Sequence, residues 1–169
     1  MFRNFAIVLV STFMIAANGT LFAGKVIEKA ESGSLDLKSI NVISFAPEGV
    51  LLVGDGRGGQ ILAVDTGDIK GIAGKFKTLL NIDHELAARV GAPPKGIEII
   101  DLAVNPASGV AYIATRKQDD KSSIIFTVAP SGKIGLLDLD KARYVRIKLA
   151  TEKGSVSLIT DVAWAGTQI

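Results

Sequence analysis

The chain has 169 residues and a mass of 17.7 kDa, the length of one ordinary domain, and its mean hydropathy of +0.37 is high for a soluble protein. Its 19 Lys and Arg nearly balance its 17 Asp and Glu, and aromatic residues make up only 6% of the chain. Nucleic-acid binding needs clustered cations and usually stacking aromatics, so this composition argues against a nucleic-acid partner. The lack of cysteine excludes disulfides, thiol catalysis and a lipidated N-terminal cysteine.

The excess hydropathy lies in residues 1–23, which hold both methionines, four of the seven phenylalanines and no acidic residue. Arg3 precedes an apolar run over 5–17, and a small residue follows at Ala23, a pattern typical of a secretory signal peptide. Cleavage is expected after Ala23, with Gly19 as a second candidate site. A retained anchor is the alternative, but the run is short against the ~20 residues that a spanning helix needs. We therefore expect an exported protein, periplasmic or extracellular, without a stable membrane span after cleavage.

A repeat dominates the remaining sequence. The segment 42–54 returns at 101–114 and begins a third time at 161–169. Pro47 and Pro106 occupy equivalent places in the first two copies and stand 59 residues apart. A period of this length corresponds to one supersecondary unit rather than to a whole domain.

Each repeat unit reads as a set of short strands. Runs rich in Val, Ile and Leu alternate with turns built on Pro and Gly, such as 46–49 and 105–109. The pattern predicts four antiparallel strands in each unit, which is typical of a β-propeller blade. The predicted strands are 42–45, 50–53, 60–64 and a weaker one over 75–80 in the first unit, and 102–104, 110–114, 123–128 and 144–149 in the second.

One short helix is predicted between the two units. Asp83 can cap residues 84–90, Gly91 suits the C′ position, and the prolines at 93 and 94 prevent the helix from continuing. We interpret this helix as an elaborated loop between two blades.

The motifs of the second unit are similar to those of a known superfamily. DLAVNP at 101–106, GVAYIA at 109–114 and PSGK at 130–133 resemble the repeats of the β-propeller superfamily that includes NHL-repeat, gluconolactonase-like and strictosidine-synthase-like proteins. The resemblance covers about residues 40–169 and implies an all-β propeller fragment with one short helix between blades. It divides the chain into a signal peptide (1–23), an N-terminal linker (24–39), a first four-stranded blade with the helix (40–98), a second four-stranded blade (99–158) and the first strand of a third (159–169).

The same resemblance implies where a functional site would lie. Propellers of this group often hold a metal ion with acidic and amide side chains around the central channel, and some are lactonases or esterases. Asp101 and Asp161 recur one period apart at the start of an inner strand, so they are the channel candidates, whereas Val42 stands at that position in the first unit. The favoured interpretation of the two residues is nevertheless structural: each Asp accepts backbone N–H groups of an adjoining loop. Whether a metal binds is left open, and no cofactor is evident.

Other conspicuous residues favour structural interpretations. GDGRGG at 54–59 matches the dinucleotide fingerprint, but residues 60–64 read as a strand and not as the helix whose N-terminus would hold a pyrophosphate. We therefore predict a hairpin at 54–59. His84, the one histidine, lies at the start of the predicted surface helix and is expected to be solvated. Trp164 is expected to pack between blades.

Three functions remain open at this point. The preferred one is an exported, non-catalytic propeller protein that binds a small molecule or a protein partner, or acts as a scaffold, because the sequence presents no catalytic constellation. The alternatives are a metal-dependent lactonase or esterase and a structural module that oligomerises to complete a ring. Two blades and the start of a third are fewer than a closed propeller contains, so the chain is expected to be an N-terminal fragment of a longer propeller.

Overall fold

A computed structural model describes residues 27–71, 75, 77–150 and 156–166. This part of the chain is mostly β, with two antiparallel sheets and one short helix, and the sheets do not close into a barrel. The elements are β1 (Glu31–Gly33), β2 (Val42–Ala46), β3 (Val50–Asp55), β4 (Gln60–Asp65), α1 (Ile82–Arg89), β5 (Ile97–Val104), β6 (Ala111–Lys117), β7 (Ser123–Val128), β8 (Ile134–Leu136) and β9 (Ala142–Lys148).

The first sheet contains five strands in the order β1-β9-β4-β3-β2. Its strand β3 is buried along its whole length, as an uninterrupted apolar run predicts for a strand covered on both faces. The turn from β2 to β3 places Glu48 and Gly49 at φ of 59° and 69°, the type I′ geometry whose twist matches that of the flanking strands. Glycine is also required at 49 by space, because a Cβ there would lie 2.5 Å from the carbonyl oxygen of Asp68.

The second sheet is a meander of four consecutive strands in the order β5-β6-β7-β8. Strand β5 carries an irregularity between Ile99 and Asp101, where its register against β6 shifts. Helix α1 packs on the face of this sheet that points away from the first sheet, where Leu86 and Ala87 meet Ile113 and Phe126. The second sheet therefore lies between the first sheet and the helix.

The main hydrophobic core lies between the two sheets. Leu51 and Leu62 of the first sheet contribute to it from one side, and Tyr112 and Ile125 of the second sheet from the other. The rings of Phe45 and Tyr112 meet edge to face, with centroids 5.0 Å apart. Sheet-on-sheet packing thus buries the alternate side chains of β3, β4 and β6 that face the neighbouring sheet.

The opposite face of the first sheet has its own hydrophobic cluster. Val50 and Leu52, which alternate with the core residues along β3, form its centre. Ile27 covers one part of this face, and Val162 and Trp164 cover another. The segment 156–166 forms no strand, so the predicted first strand of a third unit is absent from the part of the chain that the structure describes.

The prediction of a mostly β fold with one short helix is confirmed. The prediction of which strand takes the fourth place in each unit is wrong. The first three predicted strands of each unit are present as β2, β3, β4 and β5, β6, β7. Residues 77–80, expected in the fourth strand of the first unit, form no strand. Strand β9, expected to close the second unit, pairs with β4 of the first sheet, and β8 takes the fourth place in the second sheet.

Side-chain pairing explains this exchange of strands. Arg143 of β9 lies opposite Asp65 of β4, and its Nη1 is 2.8 Å from the Asp65 Oδ2. Arg146 donates to the Gln60 side chain, also on β4. Tyr144 is buried in the main core. Strand β9 therefore satisfies both the apolar and the polar positions of β4, whereas the Lys-Thr-Leu-Leu sequence of 77–80 has no such alternation.

The predicted helix is confirmed, but its start is displaced. The N-cap residue is Asn81 at φ 51°, without a side-chain capping bond, so the prediction that Asp83 caps the helix is wrong. Asp83 lies in the first turn, where a negative charge interacts favourably with the helix dipole. The end is as predicted: Gly91 has φ 67°, and the N–H of Ala92 reaches back to the carbonyl oxygen of Ala87 at 2.9 Å, the bonding of a Schellman motif.

The hairpin prediction for 54–59 is confirmed, since β3 leads directly into β4 and the N–H of Gly59 donates to the carbonyl oxygen of Gly56 at 3.0 Å. Among the described residues, no helix is long and apolar enough to cross a bilayer. The predicted signal peptide at 1–23 lies outside the described residues.

Candidate functional site

Asp101, the first predicted site residue, links the two sheets. Its Oδ2 accepts the N–H of Ile43 on β2 at 2.8 Å, and its Oδ1 accepts the N–H of Leu102 at 2.8 Å. The register shift beside it in β5 is the kind of irregularity that redirects a side chain out of the regular alternation. Both carboxylate oxygens are engaged by backbone donors, which supports the structural interpretation of this residue.

Asp161, the second predicted site residue, makes half of the same pattern. Its Oδ1 accepts the N–H of Val162 at 2.8 Å, as Asp101 does with the residue that follows it. The side chain is exposed, and its segment rests on the first sheet through Val162 and Trp164. The half-buried Trp164 packs against that sheet rather than between two sheets.

The structure does not bring these two residues together. Asp101 faces the main core between the sheets, whereas the segment of Asp161 lies on the opposite face of the first sheet. Within the described ranges, no group of three or more His, Cys, Asp or Glu side chains is placed to hold a metal ion. His84 is exposed in the first turn of α1, 3.7 Å from the Asp83 carboxylate.

Two copies of one tripeptide line a groove of about 610 Å³. Leu35-Asp36-Leu37 precedes β2, and Leu137-Asp138-Leu139 connects β8 to β9. The N–H of Leu35 donates to the carbonyl oxygen of Leu139 at 2.9 Å, which holds the two segments side by side. We call this cavity the Leu-Asp-Leu groove. Its remaining lining residues are Ser34, Val90, Ser122, Ser123, Ile124, Leu136 and Asp140.

Strand β9 fixes the walls of the Leu-Asp-Leu groove from behind. The Tyr144 hydroxyl donates to the carbonyl oxygen of Ser34 at 3.1 Å, and Arg146 Nη1 donates to that of Leu35 at 3.3 Å. On the other wall, the Asp138 Oδ1 accepts the N–H groups of Asp140 and Lys141, both at 3.0 Å. Leu137 donates to the carbonyl oxygen of Ile125 at 2.9 Å. The groove is therefore anchored to both sheets.

The lining of the Leu-Asp-Leu groove separates apolar from acidic groups. Leu35 is fully buried at its base, and the other leucines of the two tripeptides are half-buried. The carboxylates of Asp36, Asp138 and Asp140 are exposed at its rim, and among the described residues no basic side chain lines it. Such a surface can hold a molecule that has an apolar body and a positively charged or hydroxyl-bearing end.

The Leu-Asp-Leu groove was not predicted from the sequence. The prediction placed residues 34–37 in the N-terminal linker and proposed no site at 138 and 140. The repeated tripeptide was visible in the sequence, but its two copies stand 102 residues apart and are not related by the repeat period of about 60 residues. Only the return of β9 to the first sheet brings the two copies together.

A second polar cluster connects the loops that follow β4 and β5. The Asp68 Oδ2 accepts bonds from Ser108 Oγ at 2.6 Å, Asn105 Nδ2 at 2.9 Å and the Tyr112 hydroxyl at 3.3 Å. Burial raises the pKa of Tyr112 to about 12, and the neighbouring Asp68 carboxylate adds to that shift. The Asp68 oxygen is saturated by neutral donors, so this cluster joins the two sheets as a structural contact.

Comparison with protein-family models, with curated proteins and with solved structures gives no significant match.

Proposed function

We propose that this chain is an exported, non-catalytic binding or scaffold protein of the β-propeller type. Two features support a propeller-like arrangement. The edge strands β2 and β5 of the two sheets lie against each other, and the Asp101 carboxylate of β5 accepts the N–H of Ile43 on β2. The sheets stack face to face over a shared core, as successive blades do. Export rests on the signal-like segment 1–23.

The Leu-Asp-Leu groove is the observation that carries the binding function. It combines a buried leucine base with three exposed carboxylates, and β9 and the Leu35–Leu139 backbone bond hold its walls in place. A preformed cavity with an apolar base and a few convergent polar groups is the usual form of a small-molecule site. The charge of its rim favours a cationic amphipathic ligand over an anionic one.

A matched pair of probes tests the binding function. 2-Phenylethylammonium has an apolar body and a positive charge, and 2-phenylethanol has nearly the same shape without the charge. In ¹⁵N-resolved NMR titrations, we expect the ammonium probe to shift the amide signals of residues 34–37 and 136–140 at lower concentration than the alcohol does. Signals that shift elsewhere, or equal responses to the two probes, would contradict the proposal.

Two charge variants localise the effect. Asp36→Asn/Asp140→Asn removes two rim charges and keeps an acceptor oxygen at each position, and Asn tolerates the positive φ of residue 36. This variant should weaken the binding of the ammonium probe by about tenfold or more while leaving the alcohol unaffected. Asp119→Asn removes one charge from an exposed loop outside the groove lining and should change neither affinity.

A further inference from the structure

The outer face of the second sheet presents apolar side chains to solvent along β5. Leu102 is 53% exposed and Val104 is 52% exposed, and Ile99 lies near them on the same strand. Leu102 is the direct neighbour of Ile113 across the sheet, which places it on the face that α1 covers only in part. We call Ile99, Leu102 and Val104 the β5 patch.

Two residues of the β5 patch have equivalents in the first repeat unit. Leu102 and Val104 correspond to Ile43 and Phe45 in the first unit. Those two residues face the second sheet, where Ile43 is 4% exposed and Phe45 packs on the ring of Tyr112. The same positions are therefore covered in the first sheet and exposed in the second.

The segment that covers Ile43 also has a repeat equivalent. Strand β5 covers it with residues 101–104, and the Asp101 carboxylate accepts the Ile43 N–H. Residues 161–164, Asp-Val-Ala-Trp, are the corresponding part of the next unit. By this repeat equivalence, residues 161–164 are suited to pack on the β5 patch as residues 101–104 pack on Ile43.

Residues 161–164 do not reach the β5 patch of their own molecule. They lie on the far face of the first sheet, so both sheets stand between them and the patch. Packed sheets are about 10 Å apart, which makes this a separation on the order of two sheet thicknesses. The segment presents exposed groups away from its own sheet, with Leu158 61% exposed and Asp161 also exposed.

We propose that a second copy of this chain docks its segment 158–164 on the β5 patch. The contact is head to tail, because one copy contributes the segment and the other contributes the patch. It repeats between molecules the packing that β5 makes on β2 within one molecule. The proposal is independent of the Leu-Asp-Leu groove, which lies elsewhere on the surface and is tested by ligand titration.

The first test measures the mass of the purified chain by light scattering across a dilution series. We expect association that weakens by at least about tenfold in Leu102→Ser, since that change removes a large apolar contact. Leu80→Ser is the matched control, because Leu80 is 77% exposed and lies outside the β5 patch. A chain that is monomeric at every concentration, or one whose association is insensitive to Leu102→Ser, would overturn the proposal.

A mixing experiment tests the head-to-tail geometry. Leu102→Ser damages the patch and keeps the segment, and Asp161→Lys damages the exposed segment and keeps the patch. Each variant alone should be monomeric, whereas the equimolar mixture should form a heterodimer through the one intact pair of surfaces. Both variants change exposed side chains, and circular dichroism of each checks that the fold is retained. If mixing restores no association, the head-to-tail contact is refuted.

Trp164 provides an optical signal at the same contact. It is the only tryptophan in the chain and lies within the proposed docking segment. Its emission should shift with concentration in the unchanged protein and stay constant in Leu102→Ser. A concentration-dependent shift that persists in Leu102→Ser would place the contact elsewhere. Val104→Thr gives a second, milder variant of the patch, and its effect on association should have the same direction.

Discussion

At the scale of single residues, Asp55 accepts hydrogen bonds from several groups at once. It is fully buried and accepts the N–H groups of Lys38, Ser39 and Gly58 at distances of 2.8 to 3.0 Å. It also accepts bonds from the Ser39 hydroxyl and from Gln60 Nε2. One carboxylate therefore fixes the loop before β2 to the hairpin between β3 and β4.

Replacing Asp55 should destabilise the protein strongly. Asp55→Ala leaves the buried Gln60 amide and four part-buried hydrogen bonds without their acceptor. Because a buried donor without a partner costs about 1–3 kcal/mol, we expect a loss of about 3 kcal/mol or more in the free energy of unfolding. Urea denaturation measures it. Asp55→Asn keeps one acceptor oxygen and should lose less. Equal stability of the unchanged protein and Asp55→Ala would contradict this account of the network.

The same network gives a pH dependence. Burial, the largest single influence, raises the pKa of Asp55, but its hydrogen bonds with Lys38, Gln60, Gly58 and Ser39 together bring it below the ordinary value of 3.8. The folded state therefore favours the ionised form, and this stabilisation is present above pH 3.8 and is lost as the pH falls through the lower folded pKa. In Asp55→Asn, the fall in stability between neutral pH and that acidic range should be smaller.

At the scale of elements, the contact between β2 and β5 combines apolar packing with the hydrogen bond of one carboxylate. Asp101 accepts two backbone N–H groups, one from each strand. Within the described part of the chain, its repeat equivalent Asp161 accepts the N–H of the residue that follows it and no second backbone N–H. The two residues share a sequence context and differ in what covers them. This difference allows a matched comparison.

Asp101→Asn should cost about 1–3 kcal/mol of unfolding free energy, because an amide has one acceptor oxygen for the two N–H groups. Asp161→Asn should cost less than about 0.5 kcal/mol, as is usual at exposed positions. Chemical denaturation of the two variants side by side measures the difference. Equal losses would show that the bond between Asp101 and β2 contributes nothing specific.

At the scale of the whole molecule, the chain crosses between the two sheets twice. Strands β1 to β4 build the first sheet, β5 to β8 build the second, and β9 returns to the first sheet between β1 and β4. Its return also brings the two Leu-Asp-Leu segments together. The first sheet therefore stays incomplete until the chain has passed through the second sheet, which is built from consecutive strands.

This interleaving predicts a single cooperative unfolding transition. Trp164 fluorescence reports on the outer face of the first sheet, and amide NMR signals of β6 report on the second. Their thermal midpoints should coincide, and Tyr144→Ala, which removes a core side chain of β9, should lower both together. Two separate midpoints would show that the sheets unfold independently.

The strands and the helix end that local chemistry specifies are predictable from the sequence. Short apolar runs predicted strands β2 to β7, and turn residues such as Gly49 marked where these strands end. Gly91 and the prolines that follow it marked the end of α1. These features are predictable because each signal acts within a few residues. The tertiary structure alone decided the partner of β9, the role of Asp101 and the existence of the Leu-Asp-Leu groove. Each depends on contacts between residues far apart in the chain, such as Asp65 with Arg143 or Leu35 with Leu139. A local sequence pattern does not predict which distant residues its side chains will contact.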